Sequence, residues 1–190
     1  MRIVLLGAPG SGKGTQATLL RDRLQLVHVS TGDLLRAEKA AGTPLGIEAQ
    51  AVMARGELVS DSLVLNMLEV RLAKPDIQAG VIFDGYPRNV TQARSLDGLL
   101  AKLKMPVQHA ILLDVPESAL LARLAERARK EGRVDDTPAT IGHRLEVYRD
   151  ATEPVVDYYA RAGLLTRVAG QGTVEDIYKQ IAQAIADRKQ

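Results

Sequence analysis

An α/β architecture, a five-stranded parallel sheet flanked by helices in three layers, follows from the rhythm of the chain. Short apolar runs rich in Val, Ile and Leu occupy residues 2–6, 26–29, 81–83, 110–115 and 164–168, each bounded by Gly, Pro, Ser or Asp, as buried strands are. Between them lie longer stretches with helical spacing, such as Leu63, Met67 and Val70, or Leu120, Leu121 and Leu124. Strand and helix alternating throughout is the pattern of a parallel sheet, because parallel neighbours need a crossover that a helix supplies. Length and composition agree. A chain of 190 residues, 46% hydrophobic and 25% charged, describes one globular body able to bury roughly 70% of its unfolded surface without disulfides.

The first strand ends at Gly7 and opens the loop Gly7-Ala8-Pro9-Gly10-Ser11-Gly12-Lys13-Gly14-Thr15, after which Leu19, Leu20 and Leu24 continue in helical register. Strand, glycine-rich loop and helix together are the context of a phosphate-binding loop. Glycines let successive N–H groups turn toward phosphate oxygens, Lys13 adds a point charge, and the helix N-terminus adds its dipole. The general pattern puts Ser or Thr directly after the lysine; here Gly14 intervenes and the hydroxyl arrives at Thr15.

Past the second strand, residues 30–73 carry more helix than a crossover needs and read as an insertion. The third strand ends at Asp84, at the edge where parallel sheets bind ligands. A carboxylate there suits magnesium, which is held by one or two carboxylates with water and substrate phosphates; the ordinary alternative is a turn or helix cap. Arg123 and Arg127 are four apart on one helix face, taken as opposite Leu120 and Leu124, and on spacing alone they describe a solvated basic face. Polar residues 130–138 then separate two helices, the second announced by Thr137-Pro138, a cap followed by a first-turn proline. Thr173-Val174-Glu175-Asp176 resembles a capping box ahead of Ile177, Ile181 and Ile185.

Several function classes drop out. Lys and Arg number 25 against 23 Asp and Glu, a formal charge of +2, and one Phe, five Tyr and no Trp offer little surface for stacking bases, so no nucleic-acid partner is expected. Zero cysteines remove thiol nucleophiles, disulfides and thiolate zinc sites, so no structural zinc is expected, and the composition is compatible with a reducing compartment. The first apolar run is too short for a signal peptide and no later one reaches membrane-spanning length, so a cytoplasmic protein without a membrane partner is expected. His28, His109 and His143 read as structural or surface residues.

From the wording Gly-x-Pro-Gly-x-Gly-Lys-Gly-Thr onward, the chain resembles adenylate kinase, in the short form without an extended lid domain, over residues 7 to about 172. In nucleoside monophosphate kinases Gly-Thr replaces the usual Ser or Thr, which accounts for Gly14-Thr15. The resemblance implies a monomer that transfers the ATP γ-phosphoryl group reversibly to AMP, giving two ADP, with Mg²⁺. It also implies one P-loop domain over 1–190, with a nucleotide-binding insertion at about 30–59 and a short lid at about 127–137.

Site roles follow from the same resemblance. Gly10, Ser11, Gly12, Lys13, Gly14, Thr15 and Arg127 would hold ATP, with the backbone of Gly172 by its adenine. In Ser30-Thr31-Gly32-Asp33-Leu34-Leu35-Arg36, Thr31 would lie near the AMP base and Arg36 on its phosphate, with Glu57, Leu58 and Val59 closing the pocket. In Asp84-Gly85-Tyr86-Pro87-Arg88, residues Gly85, Tyr86 and Pro87 would line the AMP site, Arg88 would bind the phosphate, and Gln92 would read the adenine edge. Lys13, Arg88, Arg123, Arg133 and Arg144 would supply charge to the reacting phosphates, Arg133 and Arg144 reaching AMP as well, with Gly132-Arg133-Val134-Asp135-Asp136 as the lid. Asp84, with Asp33, would hold Mg²⁺ mostly through water.

No protein nucleophile or general base is needed, since the acceptor phosphate is largely dianionic at pH 7 and such transfer rests on positioning and positive charge. Two other functions share these motifs: a kinase for CMP, UMP or GMP, and a noncatalytic adenine-nucleotide sensor. Pyrimidine-specific relatives resemble Ser-Ala-Gly-Asp where this chain has Ser30-Thr31-Gly32-Asp33, which favours AMP.

Overall fold

A computed structural model describes residues 1–131 and 137–188. Its strands are β1 (Arg2–Leu6), β2 (Val27–Ser30), β3 (Val81–Asp84), β4 (His109–Asp114) and β5 (Leu165–Ala169). Its helices are α1 (Lys13–Leu24), α2 (Thr31–Ala40), α3 (Pro44–Ala54), α4 (Asp61–Leu72), α5 (Val90–Lys102), α6 (Glu117–Glu131), α7 (Pro138–Val147), α8 (Glu153–Arg161) and α9 (Val174–Asp187). A π-helical turn, Tyr148–Thr152, joins α7 to α8.

The strands form one sheet in the order β2-β3-β1-β4-β5, and every pairing is parallel. Val4 at the centre pairs with Phe83 on one side and Ala110 on the other. Alternation along the strands builds two cores. Ile3, Leu5, Ile82, Ile111 and Leu113 pack with Ala17 and Leu20 of α1 and with Ile177, Ile181 and Ile185 of α9. Val4, Leu6, Phe83 and Leu112 face the opposite side, against Leu68 of α4, Leu96 and Leu100 of α5, and Val155 and Tyr159 of α8. Each such aliphatic side chain contributes about 1.5–3 kcal/mol when fully buried. The sheet is thereby held between two helical layers, as expected from the sequence.

The connections run from β1 to β2 and β3 on one side of the sheet and then cross to β4 and β5 on the other. The loop after β1 therefore lies where the direction of winding reverses, the crevice in which parallel sheets bind ligands. Between β2 and β3 the chain inserts α2, α3 and α4, as the excess length over 30–73 predicts. Helices α2 and α3 approach closely at Gly46: a Cβ there would stand 2.2 Å from the backbone carbon of Glu38, so only glycine fits.

Two details differ from the sequence expectations. Leu63, Met67 and Val70 do not form the buried face of α4; Val64, Leu68 and Leu72 do, and Val70 is 69% exposed. Apolar residues occupy most positions of this helix, so its periodicity does not select a face, and packing against α5 does. At the start of α9, Thr173 caps the Asp176 N–H as predicted, but the Asp176 carboxylate takes the Thr173 hydroxyl at 2.6 Å instead of closing a full capping box. Thr137 caps α7 through the Thr140 N–H, with Pro138 in the first turn.

Candidate active site

The C-terminal ends of β1, β2 and β3 open on a cavity of about 760 Å³. On one side lies the glycine loop. Gly10 has φ +83°, and a Cβ there would stand 2.9 Å from Leu124 Cγ, so both conformation and space exclude a side chain. Gly12 precedes α1 without a side-chain cap, leaving the helix's first N–H groups for an anion. The Lys13 ammonium folds back over the loop and donates to Gly7 O at 2.6 Å and Ala8 O at 3.0 Å. Burial, countered in part by Asp84 and reinforced by Arg88, Arg144 and Arg127, pulls its pKa down to about 8.

Asp84, at the end of β3, lies beside the start of α1: its Oδ2 is 3.6 Å from where a Gly14 Cβ would stand. Burial would raise its pKa, but the His28 contact and the charges of Lys13, His28 and Arg88 outweigh burial and hold the carboxyl below its ordinary value. It is an ionised hard oxygen donor facing the cavity, which fits magnesium. Asp33, the second carboxylate of the expected pair, forms an ion pair with Arg36 one helical turn on. His28 does not line the cavity; its Nε2 is 3.3 Å from Asp84 Oδ2, a structural contact that positions this carboxylate.

The motifs expected to take the acceptor line the other side. Thr31 is buried and gives its hydroxyl proton to Gly85 O at 2.9 Å, so what it retains for a ligand is lone pairs. Arg36, Glu57, Leu58, Val59, Gly85, Tyr86 and Pro87 line the same cavity, with Glu57 paired to Arg55 at 2.8 Å. Arg88 Nε donates to Gly85 O at 2.8 Å, which aims the guanidinium along the wall. Gln92 is 2% exposed and accepts the Arg88 N–H at 2.7 Å.

Positive charge bridges the halves. Arg123 donates to Gly170 O at 2.9 Å and to Ser11 O at 3.4 Å, tying α6 to the glycine loop and to the turn that carries Gly172. Arg127 and Arg144 line the cavity, and Arg144 packs on Gly56, where a Cβ would be 2.9 Å from its Cγ. The arginines do not lie opposite Leu120 and Leu124. At about 100° per residue, positions 120, 123, 124 and 127 fall in one stripe, so the face is shared: the leucines are buried against Ile141 and Leu145 while the arginines extend past them into the cavity. Gly10, Ser11, Gly12, Gly14, Thr15 and Gly172 line the cavity as well. Arg133, and with it the expected lid segment 132–136, lies outside the described residues.

Comparison with known proteins decides the family. The family model for adenylate kinase matches residues 5–164. The chain belongs to the adenylate kinase family. It is similar to the adenylate kinase of Stenotrophomonas maltophilia (strain K279a), 56% identical over 185 residues, and to that of Xanthomonas campestris pv. campestris (strain B100), 55% identical over 185 residues; each alignment covers 97% of this chain and 99% of the relative. The adenylate kinase of Xylella fastidiosa (strain M23) is 54% identical with the same coverage. Adenylate kinases are nucleoside monophosphate kinases, phosphotransferases in class, and neither the sensor nor the kinase for another base is favoured.

Two further residues shape this adenylate kinase site without any motif of their own. Thr152, in the π-helical turn, donates to Arg88 O at 2.8 Å, and Asp61, the first residue of α4, accepts from Gln92 Nε2 at 2.8 Å. The separations, 64 and 31 residues, leave no local pattern to find. Among the described residues no helix is long and apolar enough to cross a membrane.

Proposed function

We propose that the chain catalyses reversible, magnesium-dependent transfer of the γ-phosphoryl group of ATP to AMP, giving two ADP, as a monomer in the cytoplasm. The observation that carries this reading is that one cavity joins the glycine loop to Arg36, Arg88 and Gln92 across Lys13 and Asp84. A site for one nucleotide needs neither the second half nor the arginines between. The absence of cysteine is compatible with a reducing compartment.

In this reading, phosphate oxygens of ATP compete with the Gly7 and Ala8 carbonyls for the Lys13 ammonium and take the leading N–H groups of α1. Arg36 and Arg88 hold the AMP phosphate; Thr31 and Gln92 meet its base. The transition state is loose, with charge spread over oxygens, so fixed positive groups stabilise it without proton transfer: Lys13, Arg88, Arg123 and Arg144, with Arg133 assigned by motif alone. Asp84, with Asp33, would hold Mg²⁺ through water, and the ion would neutralise charge on the transferred group. Water is the competing acceptor, so segments 30–59 and about 127–137 are assigned to close over AMP and ATP; a bisubstrate inhibitor should slow hydrogen exchange there, and an unchanged pattern refutes closure.

The test is ADP formation from MgATP with AMP, CMP, UMP or GMP as acceptor, against a blank without acceptor. Activity with AMP alone is expected. Preference for another base refutes the acceptor assignment, and ATP binding without turnover on any acceptor refutes the kinase reading.

A further inference from the structure

Glutamine is an ambidextrous reader. Its amide carries a donor and an acceptor that exchange places on a half-turn of the terminal group, so by itself it can match either purine pattern. Adenine presents an N6 donor beside the N1 acceptor; a 6-oxopurine presents the O6 acceptor beside an N1–H donor, the same two positions with reversed polarity. Selection requires the amide to be held one way round.

Five hydrogen bonds hold it. The Gln92 backbone N–H donates to Asn89 Oδ1 at 2.7 Å, which orients the Asn89 amide. Asn89 Nδ2 therefore faces Asp61, 3.0 Å from Oδ1 and 3.2 Å from Oδ2. Asp61 Oδ1 also accepts Gln92 Nε2 at 2.8 Å, and Gln92 Oε1 accepts the Arg88 backbone N–H at 2.7 Å. The ring begins and ends on backbone N–H groups, which cannot reverse. A half-turn of Gln92 would set its oxygen against the Asp61 carboxylate and its nitrogen against the Arg88 N–H. With Gln92 2% exposed, solvent offers no compensation. What remains for a ligand is one N–H and one lone pair, in fixed order.

We infer that Asp61, which lies behind Gln92 and does not line the cavity, is a positioning residue that sets the polarity of the Gln92 amide and thereby selects adenine over 6-oxopurines in the acceptor site. The inference rests on the proposed role of Gln92 as reader of the acceptor base. Asp61 is placed for it by α4 and α5 packing side by side, with Asn89 capping α5.

The test measures kcat/KM for AMP and for inosine 5′-monophosphate, with MgATP as donor, in the wild type and in Asp61→Ala, Asp61→Ser and Asp61→Asn. In the Ala and Ser variants the AMP to inosine monophosphate ratio falls about tenfold or more, mainly through KM, as expected for losing a hydrogen bond to a charged group. Asp61→Asn, whose Oδ1 is oriented by Asn89 Nδ2, keeps the ratio within about threefold. A merely structural Asp61 lowers both acceptors together. An unchanged ratio in whichever of the Ala and Ser variants folds, checked by circular dichroism, overturns the inference. Gln92→Ala separates the two levels: an unchanged ratio there means that Gln92 is not the base reader, whereas a collapsed ratio in Gln92→Ala alone removes only the role of Asp61.

Discussion

In the proposed reading, the donor half of the cavity is built from backbone and the acceptor half from side chains. Around Gly10 and Gly12 the glycine loop would offer amide groups to a phosphate, and the side chain of its lysine, Lys13, is anchored on the carbonyls of that loop. Across Asp84, recognition would pass through hydroxyl, amide and guanidinium groups of Thr31, Gln92 and Arg88, the first two held by residues distant in the chain and the guanidinium by Gly85 O three residues back. Phosphate is common to all nucleotides and can be bound by geometry that a short motif encodes. A base must be told from other bases, and that needs donors and acceptors of fixed polarity.

The comparison can be broken most severely at its two charged anchors. Lys13→Met and Arg88→Met should each lower turnover by about 10²–10³-fold or more while leaving the thermal transition nearly unchanged, since fixed charge is the main catalytic resource here. Near-normal steady-state turnover in either variant removes its assigned role. Next in size is Gly10→Ala: with φ at +83° and Leu124 Cγ 2.9 Å from the new Cβ, it should destabilise the fold by about 1–3 kcal/mol and weaken ATP far more than AMP. Chemical denaturation and calorimetric titration check the two halves of that statement.

On the acceptor side, Thr152→Val deletes the hydrogen bond to Arg88 O and should raise KM for AMP about fivefold with ATP little affected, the size of one net hydrogen bond. The smallest effect is protonic. Because Lys13 falls from 10.5 to about 8 on folding, the unfolded chain holds a proton between those values that the folded chain has lost. Its contribution to stability therefore rises with pH through this window, and its cost is fully present below about 8. Phosphate favours the charged ammonium, so ATP should bind with proton uptake at pH 9, less at pH 7 and none in Lys13→Met, read by calorimetry in buffers of different ionisation enthalpy.

This division also explains what was legible in the sequence. The strands and the loop from Gly7 to Thr15 are local patterns, and the structure places them within a residue or so of expectation; β2 begins at Val27, since the Leu26 N–H bonds back to Arg21 O at the end of α1. The cavity collects the expected residues on both sides of Asp84, with Arg133 outside the described residues. Asp61, Thr152 and the contact of His28 with Asp84 were not legible, because each acts through a partner 31, 64 or 56 residues away and only the fold brings them together. The face of α4 and the shared stripe of Leu120 and Arg123 failed for another reason: helical spacing fixes which residues neighbour one another, while tertiary packing decides which neighbours are covered.

The most direct test of a two-part cavity is calorimetric titration of ATP and AMP, separately, into the wild type, Lys13→Met and Arg88→Met. Lys13→Met should weaken ATP by about tenfold or more and spare AMP, and Arg88→Met should do the reverse, as expected for the loss of a charge-assisted contact on one ligand only. If both substitutions weaken the same nucleotide, the cavity does not divide between Lys13 and Arg88 as described.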